Sequence, residues 1–125
     1  RVEAETMAFS RGVKSEQNET DGVHITEIHN GDYIKVREVD FSRQPREFKA
    51  SLSSGMRGGT MEVRLDSISG EKIAEVKIGN TGGWYSWKIC KAEIKQGVSG
   101  TRDLFFVFTG EKGVKLMNFN WWEMK

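Results

Sequence analysis

Cysteine occurs once in the chain, at Cys90, and histidine only at His24 and His29. A lone thiol closes no internal disulfide, and this donor set is too small for a structural zinc ion, so Cys90 reads as a small core residue. Charge of one sign is missing as well. The 19 basic and 18 acidic residues are dispersed and leave a net charge of +1, with no basic stripe to follow a phosphate backbone. Nucleic acid is thereby set aside as a partner. No apolar run approaches the roughly 20 residues of a membrane-spanning helix. The chain opens on Arg1 with no signal peptide, and is expected to be a mature or excised piece of a longer protein.

Proline is nearly absent too, with one residue against 14 glycines, and helical periodicity is scarce. What is present is a series of short alternating apolar runs separated by Gly, Asn, Asp and Ser clusters, the pattern of β-strands and turns. Val23–Ile28 reads as a strand, His29-Asn30-Gly31-Asp32 as the turn that ends it, and Tyr33–Phe41 as the strand that follows. Phe48, Ala50 and Leu52 alternate, as do Met61, Val63 and Leu65; Ile73, Val76 and Ile78 suggest another strand whose shifted phase implies a bulge. Leu104-Phe105-Phe106-Val107-Phe108 is too short for a helix and apolar throughout, so it is expected to be a central strand covered on both faces. Strict alternation over Leu116–Trp122 puts Phe119 and Trp121 on one face and Asn118, Asn120 and Trp122 on the other. The polar segment from Phe9 to Asp21 reads as a long loop. Eight to ten such strands without a helical crossover specify an all-β fold, an antiparallel β-sandwich of jelly-roll type, in a single domain spanning 1–125.

The chain is organised around Thr81-Gly82-Gly83-Trp84-Tyr85-Ser86-Trp87, which carries three aromatic rings in four residues after a glycine hinge. Glycines permit a tight turn, and the ring straight after it tends to project, so Trp84 is expected to face outward and Trp87 to anchor the turn in the core. An exposed indole suits a flat, weakly polar ligand such as a sugar ring. Catalytic residues are not expected. Glycoside hydrolysis needs two carboxylates facing across a cleft, whereas Glu3 and Glu5 share one strand face, Asp32 belongs to a turn, and neither histidine has a nucleophile nearby in sequence. On this fold the rival to a glycan binder is a cell-surface or protein-recognition module, since fold does not determine function.

Val2-Glu3-Ala4-Glu5, Gly31-Asp32-Tyr33-Ile34, Val63-Arg64-Leu65-Asp66, Thr81-Gly82-Gly83-Trp84 with Trp87, Asp103-Leu104-Phe105 and Asn118-Phe119-Asn120-Trp121 occur in the order found in family 6 carbohydrate-binding modules, and the chain resembles that family over nearly its whole length. The resemblance implies a non-catalytic, secreted jelly-roll module attached to a glycoside hydrolase. It implies binding of xylan or another β-linked plant glycan, with β-glucan and agarose as alternatives. By motif, Tyr33 and Trp84 are the rings that hold a sugar unit at one end of the sandwich. One of Asn118 and Asn120 bonds its hydroxyls, Asn118 preferred as the nearer to the preceding loop, and Glu16 is a further hydroxyl contact. The family often holds a structural Ca2+ near the chain termini through paired carboxylates, which points to Glu3 and Glu5 with Asn120 as the ligand from the last strand. The other partner implied is the linked catalytic domain, with the module itself a monomer. A second cleft on the concave face occurs in the family; the sequence does not map it.

Overall fold

The structure is a computed structural model; it describes the backbone of residues 2–3, 9–11, 14–18 and 22–125, and side chains from residue 24 onward. Among the described residues eleven strands follow in order: β1 (Val2–Glu3), β2 (Phe9–Arg11), β3 (Lys14–Asn18), β4 (Gly22–Ile28), β5 (Tyr33–Asp40), β6 (Glu47–Ser54), β7 (Gly59–Leu65), β8 (Lys72–Ile78), β9 (Gly83–Glu93), β10 (Thr101–Thr109) and β11 (Met117–Met124). They form two sheets in which every ladder is antiparallel. The first runs β3-β4-β11-β6-β9, with β1 also paired to β11, and the second runs β2-β5-β10-β7-β8. This is the expected antiparallel β-sandwich.

Alternation along each strand sends one set of side chains between the sheets. Ile34, Met61, Val63, Leu65, Leu104, Phe106 and Phe108 come from the second sheet; Ile25, Phe48, Ala50, Leu52, Phe119 and Trp122 come from the first. Phe106 sits at the middle of this layer. Its ring centroid lies 5.3 Å from those of Phe119 and Trp122 and 5.9 Å from that of Phe48. β10 is the central strand of its sheet, and Phe105 on its outer face is only 8% exposed, so this run is covered on both sides as expected.

Three expectations are overturned. The Phe9–Asp21 segment is not simply a loop, because β2 pairs β5 and β3 pairs β4. Each is an edge strand bonded on one side, so neither needs the apolar alternation by which strands are recognised. Second, the ladder between β11 and β6 slips between Phe119 and Trp121, so that Phe119 faces Leu52 while Trp122 faces Ala50. A β-bulge at Asn120 absorbs the extra residue and reverses the phase, which carries Trp122 into the core and turns Trp121 out. Third, Trp87 lies on the outer face of the first sheet. Ala50 pairs with Cys90 and Phe48 with Ala92, so Cys90 and Ala92 face the core and Trp87 shares the other face with Ile89.

Strand direction gathers the loops at two ends. One end holds 29–32, 55–58, 79–82 and 110–116; the opposite end holds 41–46, 66–71 and 94–100. At the first, Gly31 N donates to Phe108 O at 2.8 Å, and Asp32 closes its own turn by accepting the His29 N–H at 2.8 Å. At the second, the Arg102 guanidinium forks onto the Asp66 carboxylate and holds it below the usual carboxylate range.

Candidate functional site

Trp84 stands at the first end, one residue into β9, on a turn fastened to the end of β6. Gly82 has φ +104°, open to glycine but strained for other residues, and its N–H donates to Asn80 Oδ1 at 2.7 Å. Thr81 N donates to Ser54 O at 2.9 Å, and the Thr81 hydroxyl accepts the Ser54 N–H at 3.0 Å. The Trp84 carbonyl is held twice, by Ser53 Oγ at 2.6 Å and Asn118 Nδ2 at 2.7 Å. The tryptophan backbone is therefore immobilised from two neighbouring strands, β6 and β11, while its indole stays half-buried.

The indole rests on Gly55. A Cβ built on that glycine would lie 2.6 Å from Nε1 and 2.8 Å from both Cδ1 and Cε2. Near-equal distances around the nitrogen put that position over the ring plane instead of at its edge, so the absent side chain is what lets the ring lie flat. Lys115 Nζ stands 4.2 Å from the Trp84 ring centroid, inside cation–π range. Gly55→Ala is expected to lift the indole and lower its ligand affinity, with little change in melting temperature because φ at Gly55 is not left-handed. Titration followed by indole fluorescence measures this, and unchanged affinity would show that the seat is not needed.

Tyr33 opens β5 at the same end, in the other sheet. It is half-buried, and its ring tilts against Phe105 with centroids 6.0 Å apart on the face turned away from the core. Neither Tyr33 nor Trp84 is sealed in the interior. Asn118 is 1% exposed; its orientation follows from the Trp84 carbonyl, which accepts only a donor, and this leaves Oδ1 buried without a partner among the described residues. Asn120 Oδ1, in the β11 bulge, is in the same condition. Glu3 lies in β1 opposite Trp121, the residue after Asn120, and Glu16 lies in β3 opposite His24. The side chains of Glu3 and Glu16, and the whole of Glu5, lie outside the described residues. Among the described residues no group of three or more His, Cys, Asp or Glu is placed to hold a metal.

A second aromatic group escaped the sequence reading. His24, fully buried, meets Trp87 edge-on at 5.2 Å and Tyr85 at 5.7 Å. β11 and β6 separate β4 from β9 in the sheet, so these rings lean across a floor that includes Ser51, Ser53 and Asn118, all buried. Nothing local announces that pairing; only the strand order brings His24 to β9. A depression of about 400 Å3 at the opposite end is bordered by Val39, Arg43, Pro45 and Trp122, but Trp122 is only 5% exposed and offers no ring to a ligand. Burial pushes the Cys90 thiol up, consistent with a core residue.

Residues 3–125 match the model of the carbohydrate binding module, family 6. The chain belongs to this family. It is 37% identical over 129 residues to an arabinoxylan arabinofuranohydrolase of Paenibacillus polymyxa, an alignment that takes in 98% of the module and 20% of the enzyme. The module thus spans about a fifth of that relative's length. A β-1,3-glucan binding family 6 module from Bacillus halodurans superposes with a TM-score of 0.93 at 32% identity, over 99% of this chain and 93% of that one. A family 6 module of Clostridium cellulolyticum in complex with xylose gives 0.93 and 32%, over 99% and 95%. Carbohydrate binding on a β-sandwich is therefore the module's function. No described helix is long and apolar enough to cross a membrane.

Proposed function

We propose that the module, residues 1–125 acting as one unit, binds xylan or a related β-linked plant polysaccharide at the end carrying Trp84. The observation that supports this most is the accessible indole laid flat on Gly55 and fixed through its own backbone. A pyranose has an apolar face of C–H groups and a rim of hydroxyls; a ring gains dispersion and desolvation on the face, and polar groups sort the rim. Trp84 and Tyr33 are the two rings. Asn118 Oδ1 supplies an acceptor, with Asn120 and Glu16 the other rim candidates. Each ring contributes roughly 0.5–1.5 kcal/mol beyond area burial and each hydrogen bond about 1 kcal/mol net. The sum corresponds to millimolar to micromolar affinity, about 4–8 kcal/mol.

Weak binding suffices for a module tethered to a catalytic domain, because the tether raises the effective concentration of substrate. The arabinoxylan-active relative and the xylose-bound structure favour xylan; the β-1,3-glucan binder makes β-glucan the second reading. On this reading the chain is non-catalytic by itself, monomeric, and part of a secreted glycoside hydrolase. Affinity electrophoresis on xylan, mixed-linkage glucan, laminarin, cellulose and agarose tests it, with retention expected first on xylan. Retention by none of them would count against the polysaccharide assignment.

A structural Ca2+ fits what is described near the termini. Asn120 Oδ1 is a buried oxygen without a described partner, and β1 brings Glu3 opposite the next residue of β11. Hard oxygen donors of this kind suit calcium. Glu3, Asn120 and Glu5 would hold the ion, which would join the first strand to the last. Calcium is expected to raise the melting temperature of the parent and to leave that of Glu3→Ala unchanged. An equal rise in both would remove the assignment.

A further inference from the structure

We propose that Ser54, which is fully buried and meets no sugar, is the positioning residue of the binding end: its hydroxyl holds the seat of Trp84 and the loop beside it in one arrangement, and ligand affinity depends on that arrangement. The proposal rests on the reading of Trp84 as the sugar platform and names what keeps the platform in place.

Ser54 closes β6, in a run Ser53-Ser54-Gly55 whose small polar residues carry the signature of a turn. The structure buries both serines completely. A hydroxyl taken out of water costs stability unless it finds partners. Ser54 Oγ finds two: it donates to Leu116 O at 2.7 Å and accepts the Met56 N–H at 3.2 Å. The backbone of the same residue holds a third segment, since Thr81 N donates to Ser54 O at 2.9 Å and Ser54 N donates to the Thr81 hydroxyl at 3.0 Å. Met56, Thr81 and Leu116 belong to the loops 55–58, 79–82 and 110–116. One residue thus ties three loops of the binding end together.

Each of those partners adjoins something that touches or delivers the indole. Gly55, the seat, lies between Ser54 and Met56; Lys115, with Nζ 4.2 Å from the ring centroid, precedes Leu116; Thr81 opens the turn that leads into Trp84. The ladder between β6 and β9 ends at the pair Ser54 and Gly83, and past it the Met56 N–H is held by the hydroxyl instead of by a strand. Ser54→Ala keeps the ladder and both backbone bonds to Thr81, but takes the hydroxyl from the Met56 N–H and from the Leu116 carbonyl. The seat and the 110–116 loop then sample other positions, and only molecules with the indole flat on Gly55 bind well. Apparent affinity falls in proportion to the fraction of molecules in that arrangement.

The test compares the parent, Ser54→Ala and Phe106→Ala well below their melts, by calorimetry on xylan and on β-1,3-glucan. The second readout is the Trp84 indole N–H resonance, assigned as the one lost in Trp84→Phe. Ser54→Ala is expected to bind about three- to tenfold more weakly, the loss that a competent fraction of about a third to a tenth produces, and to shift or broaden the indole resonance. Phe106→Ala, which loses more stability, should keep both affinity and resonance, and this contrast separates positioning from a general loss of stability. Parent affinity or an unmoved indole resonance in Ser54→Ala, or equal losses of affinity in the two variants, would overturn the proposal. Should Ser54→Ala not fold, amide exchange in the parent decides: Met56 and Thr81 are expected to share one protection, as parts of a unit that opens together, and unequal protection would overturn the proposal too. If Trp84→Ala loses binding while Ser54→Ala keeps it, the positioning role alone is wrong. If the parent binds neither glycan, or Trp84→Ala binds as the parent does, the platform reading falls and the positioning role with it.

Discussion

Trp84→Ala is expected to weaken polysaccharide binding by roughly 30- to 150-fold. Covering the accessible half of an indole with a pyranose removes an apolar area worth about 1–2 kcal/mol, and the ring geometry adds about 1 kcal/mol. The total, about 2–3 kcal/mol, is a large part of the 4–8 kcal/mol that a millimolar to micromolar affinity represents, so retention in a gel should vanish. Folding should be nearly untouched, because the ring is half-buried and what holds this turn in place is backbone: the Trp84 carbonyl, the Thr81 N–H and the Asn80–Gly82 turn all survive the substitution. A thermal melt within a few degrees of the parent, alongside lost retention, is the expected pair of results. Unaltered retention on every glycan the parent binds would move the site elsewhere, and the surface formed by Trp87 and Tyr85 over His24 would be the next to test.

Phe106→Ala should have the largest effect on stability. The side chain is fully buried, and three other rings pack on it from the opposite sheet: Phe48, Phe119 and Trp122. Truncation loses the transfer energy of the ring and leaves a cavity that two hydrogen-bonded sheets cannot close, at a cost of about 3–5 kcal/mol. Against a total of about 5–15 kcal/mol for a domain of ordinary stability, this is a third or more of the margin. The melting temperature should fall by more than about 10 °C. Well below the melt, polysaccharide affinity should stay close to that of the parent, since the substitution lies between the sheets and the platform at one end. A fall of only a few degrees would mean that Phe106 is not the keystone of the layer.

How far the sequence leads can be followed strand by strand. Wherever apolar and polar residues alternate a strand is legible, and β5, β6 and β7 were read near their true places by that pattern, β10 by its unbroken apolar run. The His29–Asp32 turn was legible because an aspartate that accepts a backbone N–H within its own turn is a local device. Reading failed where the deciding contact was not local. β2 and β3 are polar because they are edges, and an edge is a property of the sheet. Trp87 precedes a run in which Ile89 and Cys90 are both apolar, so either phase satisfies the pattern until Ala50 is seen opposite Cys90. The slip at Asn120 reverses the last strand in the middle of an otherwise regular run.

The site divides in the same way. Trp84 could be singled out because an aromatic ring after a glycine turn is conspicuous in one dimension, while Tyr33 was named only through the resemblance carried by the order of the motifs. The residues that make Trp84 a platform could not be found so. Gly55 supplies a missing side chain and Lys115 a charge beside the indole, Asn118 a donor to the Trp84 carbonyl, and each lies some 30 residues away along the chain. Composition and alternation by themselves determine an all-β sandwich with rings at its turns, because burial on one face repeats every second residue and leaves its mark in the sequence. Which side chain stands beneath, above or behind a given ring was decided only by strand order and register, because hydrogen-bonded ladders, and no property of the neighbouring residues, set which distant segments meet.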